Sequence, residues 1–227
     1  MLRVSGYLAA LVVSSATSAA GLDDISNRDA VAGLKEALSK GAQAAVAKLG
    51  KEDGFLGDPR VRIPLPQSMK SAESVMHSIG LGKQADDLVM RMNRAAEAAV
   101  PQAKSLLVDA AKKMTVQDAK GILTGGDDSA TQYFKRTATE PLAKKFKPVV
   151  RKAMAKVKLA EKYNEIATSG AKLGLVKEED ANLEDYVTRK ALDGLFVVIA
   201  EEEKKIRQDP AAAASATIRK VFGAIRP

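Results

Sequence analysis

KQADDLVMRMNRAAEAAVPQAKSLLVDAAKKM, residues 83–114, is the stretch on which the fold turns. At 100° per residue, Leu88, Met92, Ala95, Ala99, Ala103, Leu106 and Ala110 fall on one stripe. Met90, Pro101 and Val108 lie on the opposite side, which predicts one long central helix covered on two faces. Asn93 and Glu97 are one turn apart and point toward that second face. A buried carboxylate is unfavourable unless it is paired or protonated. Glu97 therefore needs a partner, and Arg94, His77, Tyr133 and Arg136 are the candidates. The Asn93/Glu97 region reads as a polar pocket, as a structural network, or, if nothing covers that face, as an exposed i,i+4 pair.

Helical signals continue on both sides. Residues 27–49 place Val31, Leu34, Leu38, Ala45 and Leu49 on one face and stop at Gly50. Residues 51–66 lack a helical period: Gly54, Gly57 and Asp58-Pro59 mark turns, and 61–66 alternates like an extended segment. Two prolines bar that segment from a central strand. A short helix over 67–79 closes at Gly80. Downstream, Thr115 with Asp118 resembles a capping box, and Asp128 or Ser129 caps a helix through Tyr133 and Phe134. Thr139-Glu140-Pro141 opens the next helix, with an acid and a proline in its first turn. Asn182 with Asp185 starts a helix over 183–208, and 191–200 within it reads as buried core. Asp209-Pro210 starts the last helix, which carries Ile218, Val221, Phe222 and Ile225. Residues 172–182 read as a linker.

Aromatic residues make up only 4% of the chain and Trp is absent, so Ala, Leu, Val, Ile and Met must fill the core. That composition suits close helix–helix contact better than a sheet. The expected fold is all-α: a compact bundle of about eight helices, with one long central helix and a short irregular segment near 51–66. One domain is expected over residues 21–227.

Charge is concentrated in one place. Residues 132–162 hold ten Lys or Arg against Glu140 and Glu161, a surplus that matches the +8 of the whole chain. At the helical period Leu142, Phe146, Val149, Val150, Ala153, Val157 and Ala160 share an apolar arc. Lys144, Lys145, Lys147, Arg151, Lys152, Lys156, Lys158 and Lys162 occupy the remainder, and Lys135 and Arg136 extend the basic face toward the N-terminus. Pro148 sits on the polar side, where a bend is expected rather than a break. Such a face suits an anionic partner, although a charged helix face also serves simply to keep a protein in solution.

The first twenty residues read as a secretory signal. Arg3 supplies the positive n-region and 4–13 (VSGYLAALVV) a short apolar run. The small residues at 14–21 then contain Ser18-Ala19-Ala20, an A-x-A-like cleavage site. Cleavage near Ala20 would place the mature chain in the periplasm or outside the cell. Export also turns a basic protein away from nucleic acid, and stacking aromatics are scarce. The chain has no cysteine, so it can form no disulfide, thiolate metal site or lipid-modified cysteine. Its fold must rest on its core.

No catalytic constellation is recognisable. His77 is the only histidine, which rules out a multi-histidine metal site. GILTGGDD at 121–128 lacks the P-loop lysine and carries two acids that repel phosphate. The acidic runs at 178–180 and 201–203 lack the alternation of a calcium loop and read as solvated helix ends. No cofactor and no metal are expected.

Several stretches do resemble a bacterial family catalogued as domain of unknown function 4197. They are Met92-Asn93-Arg94-Ala95-Ala96-Glu97-Ala98-Ala99, Met114-Thr115 with Asp118-Ala119 and Ile122-Leu123, and Ala130-Thr131 with Tyr133-Phe134. Gly54-Phe55, Ile63-Pro64-Leu65-Pro66, Leu183 with Tyr186-Val187, and Gly194-Leu195-Phe196 add to them, as do Glu203 with Ile206-Arg207 and Pro210. The resemblance implies an exported, largely helical protein and brings no activity, cofactor or catalytic residue with it. It places Asn93, Arg94, Glu97, Thr131 and Tyr133 within the family's motifs, as a candidate polar cluster.

The function expected from these features is non-enzymatic binding or scaffolding in the cell envelope. The contact surface would be Lys135, Arg136, Lys144, Lys145, Lys147, Arg151, Lys152 and Lys156, and the partner an anionic lipid headgroup, lipopolysaccharide, wall polymer or another protein. The alternative expectation is a small-ligand binder or hydrolase built around Asn93 and Glu97.

Overall fold

The computed structural model describes residues 27–78, 80, 82–210 and 215–223. The signal peptide read at 1–20 and its cleavage point near Ala20 lie outside the described residues. So do Ile79, the alanine run 211–214 and Ile225.

The chain is all-α, with nine α-helices among the described residues. In order they are α1 Asn27–Leu49, α2 Gln67–Ser78, α3 Gly82–Ala99, α4 Ala103–Lys113, α5 Val116–Leu123, α6 Ser129–Met154, α7 Lys158–Lys172, α8 Leu183–Gln208 and α9 Ala216–Gly223. Several boundaries follow directly from local chemistry. Thr115 and Asp118 form a full capping box at α5, and the Asn182 side chain accepts the Asp185 N–H at the start of α8. The irregular segment at 51–66 is present, and its extended part alternates as expected. Val61, Ile63 and Leu65 are buried, while Arg62 and Pro64 are exposed.

The expected long helix is interrupted at Pro101. A 3-10 turn at Val100–Gln102 joins α3 to α4, because proline offers no N–H to the preceding turn. The break lets the two halves face different neighbours: α3 packs on α6 and α8, whereas α4 packs on α1 and α6. The inward residues of α4 are accordingly Ala103, Leu107 and Ala111, while Leu106 and Ala110 are only half-buried. The expected second apolar face is not there, since Met90 and Pro101 are exposed. Its place around Asn93 and Glu97 is taken by the 51–66 segment.

No helix boundary occurs at Thr139-Glu140-Pro141. α6 runs unbroken from Ser129 to Met154 with Pro141 and Pro148 inside it. The two prolines are seven residues apart and both exposed, so water can reach the carbonyls they leave without a donor. On the other side Ala138, Leu142, Phe146 and Val150 hold the helix to the core. The basic belt, in contrast, is not one helix. α6 ends at Met154 and α7 begins at Lys158, which leaves Ala153 exposed and Met154 buried in its stead. The last helix also starts later than Asp209-Pro210 suggests. Asp209 closes α8 through its N–H to Lys205 O, and Ser215 Oγ donates to Glu36 Oε2 at 2.8 Å just ahead of α9.

One contiguous core joins these helices, with Phe55, Phe134, Phe146, Leu34, Leu88 and Leu142 among its largest fully buried side chains. Phe55 reaches it from the irregular segment by lying over α8 at Gly194. A Cβ at Gly194 would sit 2.7 Å from Phe55 Cε1 and 3.2 Å from Val61 Cβ. Glycine is required there because the ring occupies the space of a side chain. Gly194→Ala is expected to destabilise the protein by about 1–3 kcal/mol in urea denaturation, through this overpacking.

Candidate functional site

Asn93 is wholly buried on α3 and spends its amide on backbone. Its Oδ1 accepts the Ile63 N–H at 2.8 Å, and its Nδ2 donates to Ile63 O at 2.9 Å and Val89 O at 2.8 Å. One turn on, Glu97 is 4% exposed. Its Oε1 accepts the N–H groups of Phe55 at 3.0 Å and Leu56 at 3.1 Å, and its Oε2 receives Arg94 Nη1 at 2.7 Å. Arg94 also reaches Asp53 Oδ1 at 2.9 Å and Glu52 Oε1 at 3.2 Å. Of the four candidate partners of Glu97, Arg94 is the one the fold supplies. His77 lies 3.7 Å from Asp86, Tyr133 donates to Ala110 O at 2.8 Å, and Arg136 lies 3.6 Å from Asp118.

Both ends of the irregular segment are thus held by side chains rather than by a strand partner. Tyr186 of α8 adds a third tie, donating to Pro64 O at 3.0 Å, and burial pushes its phenol up to about 12.

Thr131 and Tyr133 do not join this set. Thr131 belongs to a second buried carboxylate that the sequence reading placed in solvent. Glu203, on α8, is 7% exposed and caps the N-terminus of α6 from across the bundle. Its carboxylate accepts Ala130 N, Thr131 N and Thr131 Oγ1, each at 2.9 Å. Arg207, one turn along α8, donates to Glu203 Oε1 at 2.9 Å and to Ile122 O at 2.9 Å. The cap expected from Asp128 or Ser129 is absent: the Asp128 side chain makes no cap bond and instead accepts from Gln132 Nε2. One signal for Glu203 was present, because spacings of four put it on the same α8 face as Leu195 and Ile199.

The eight basic residues separate into three settings. Lys135, Lys144 and Lys147 line a groove of about 580 Å³ between α6 and α8, floored by Leu192 and Phe196. In it Lys144 pairs with Glu140 and Lys147 with Asp185, while Lys135 lies over the Phe196 ring at 5.9 Å. Arg136 lines a separate groove of about 390 Å³ with Tyr133 and Asp118. Lys145, Arg151, Lys152 and Lys156 are exposed and form no ion pair among the described residues. Lys145 and Lys152 are two turns apart on one face of α6. Among the described residues no group of three or more His, Asp or Glu could hold a metal ion. No buried side-chain nitrogen or oxygen among them lacks a hydrogen-bond partner.

A family model described as "Protein of unknown function (DUF4197)" matches residues 24–223. The chain belongs to the DUF4197 family. No curated protein and no solved structure matches it. Many of the residues that carry the DUF4197 resemblance meet in space at the irregular segment. Phe55 packs over Gly194, Ile63 is held by Asn93, Pro64 by Tyr186, and the Phe55 amide by Glu97.

Removing the Glu97 carboxylate strips two amides of their acceptor, while Arg94 keeps Asp53. Glu97→Ala is therefore expected to lower stability by about 2–4 kcal/mol in urea denaturation. A loss under about 0.5 kcal/mol would contradict the anchoring role.

Proposed function

We propose that this DUF4197 member is a non-enzymatic binding protein of the cell envelope that meets an anionic partner through its basic face at 132–162. The observation that carries the reading is the separation of charge. In the interior each buried carboxylate has an arginine and backbone amides, whereas Lys145, Arg151, Lys152 and Lys156 face solvent without ion pairs. Each such cation is worth about 1 kcal/mol near an anionic surface, so several acting together dominate an encounter. In the α6–α8 groove Lys144 and Lys147 are already paired with acids, which makes it a poorer magnet.

Compartment enters through the leader read at 1–20, with delivery to the periplasm or beyond. Among the described residues no helix is long and apolar enough to cross a membrane, so contact through the surface is the mode this reading uses. Lipid headgroups, lipopolysaccharide phosphates and wall polymer share the chemistry that would be recognised. A ligand pocket at Asn93 and Glu97 is less well supported, because the polar atoms there already have backbone partners.

The test is binding to phosphatidylglycerol vesicles, lipopolysaccharide and a phosphate-rich wall polymer, each at low and high salt. The protein is expected to bind at least one of them and to be released by salt. Combined Lys144→Glu, Lys145→Glu, Arg151→Glu and Lys152→Glu changes should weaken that binding by about a hundredfold or more, with stability unchanged. Equal binding by the charge-reversed variant would refute the reading.

A further inference from the structure

Beyond Ala167, no residue is buried until Leu183. α7 is held to the body only as far as Ala167. Ala160, Tyr163 and Ala167 are buried, and Ser68 Oγ and the Tyr163 hydroxyl lie 2.9 Å apart. The same hydroxyl lies 2.6 Å from Asp180 O, where the chain returns, and Asp180 is paired with Arg189. Asn164 completes the clamp, accepting Leu183 N at 2.8 Å and donating to Glu184 Oε2 at 2.9 Å. Residues 168–177 therefore form a tip between two fastened ends, with Ile166 exposed at its base.

The tip is ordered by its own backbone. Gly174, at φ 70°, turns the chain back so that its N–H reaches Ala171 O at 3.0 Å and the Leu175 N–H reaches Gly170 O at 2.9 Å. This is the Schellman arrangement, which closes a helix through a left-handed residue. Val176, one residue further on, turns back over Gly170, where a Cβ would lie 3.0 Å from its Cγ2. The remaining aliphatic side chains are directed away: Ile166 is 74% exposed, Leu173 75% and Leu175 78%. Ile166 on α7 and Leu173, the C-cap of that helix, are seven residues apart, about two turns. Leu173 and Leu175 at the closing turn, with Ile166 about two helical turns behind them, are unlike the scattered single exposures at Val75, Met90, Val116 and Val197.

Charge identifies what would cover them. Residues 166–177 include Lys172 and Lys177 and no acid, and Lys158 and Lys162 lie further back on α7. All four are exposed and form no ion pair among the described residues. Glu161 and Glu165 lie behind the tip on α7, and Glu178 and Glu179 follow it. A second copy would bring Lys172 and Lys177 of the two tips against one another, and a wall polymer has no apolar phase for leucine. An anionic bilayer offers phosphates at the depth of the ammonium groups and hydrocarbon just beneath, the arrangement in which lysine stems lie along the boundary.

We propose that the Ile166/Leu173/Leu175 tip inserts into the interfacial layer of an anionic phospholipid bilayer, with Lys172 and Lys177 seated among the headgroups. This rests on the basic-face reading and gives it a partner and an orientation. The chain has no Trp, so Leu175→Trp supplies a single reporter. Vesicles of phosphatidylglycerol and phosphatidylcholine at equal parts are compared with phosphatidylcholine alone. On the anionic vesicles the reporter is expected to shift to the blue and to be quenched by lipid brominated on its acyl chains. Leu173→Ser with Leu175→Ser should weaken vesicle binding by about tenfold or more, leaving the melting temperature unchanged.

Failure would be specific. Salt-sensitive binding of the parent protein to vesicles, with a solvent-like reporter and an equally tight serine variant, overturns insertion and leaves the basic face standing. Binding to lipopolysaccharide or wall polymer but not to vesicles does the same. No binding to any of the three overturns both. A reporter that shifts with protein concentration in the absence of lipid places a second copy on the tip and overturns the proposal.

Discussion

An irregular stretch of backbone lodged inside a helical bundle has amides and carbonyls that no helix satisfies, and the rest of this structure is arranged around that constraint. Residues 51–66 send Phe55, Val61, Ile63 and Leu65 into the core but pair with no strand. Leaving a buried N–H without an acceptor costs about 1–3 kcal/mol, so turns within the segment meet some, as Val61 N–H does with Asp58 O at 3.1 Å, and side chains meet others. Glu97 meets Phe55 and Leu56, Asn93 meets both backbone groups of Ile63, and Tyr186 meets Pro64. Gly194 gives Phe55 its room. The same solution recurs at α6, where Glu203 supplies the N-terminal cap from a different helix. In both places an arginine on the carboxylate's own helix balances its charge, three residues before Glu97 and four after Glu203.

These anchors explain why polar residues that look like a site from the sequence are engaged in holding the fold. The shared direction of Asn93 and Glu97 is legible from their spacing on α3, while their burial depends on the 51–66 segment that covers that face. The partner of Glu97 was legible only as a choice of four, since Arg94 differs from the others in where the chain returns and not in its spacing. Glu203 was hidden by its neighbours. Glu201 and Glu202 make the run look solvated, and only the helical phase shared with Leu195 and Ile199 sets the third acid apart.

Helix positions were read well wherever a local cap sets them, as at Thr115 and Asn182. They were read poorly where tertiary packing overrides a proline. Pro141 looks like the start of a helix, yet Ala138, Leu142 and Phe146 bind α6 to the core across it. Pro101 does interrupt its helix, and the interruption reassigns the inward face of α4 from Leu106 and Ala110 to Leu107 and Ala111. The apolar tip was read as a linker because nothing in 172–182 has a helical period. Its character lies in exposure, which depends on where the two ends are fastened.

Interior charge is paired and serves backbone, while the surplus of positive charge lies on α6, the start of α7 and the link between them. The most direct test of that division is amide hydrogen exchange of the protein alone and with phosphatidylglycerol vesicles. Peptides covering 54–65 should be strongly protected in the free protein and unchanged by lipid, while peptides covering 144–177 gain protection on the vesicles. Rapid exchange at 54–65 in the free protein, or protection gained there and not at 144–177, would contradict the account.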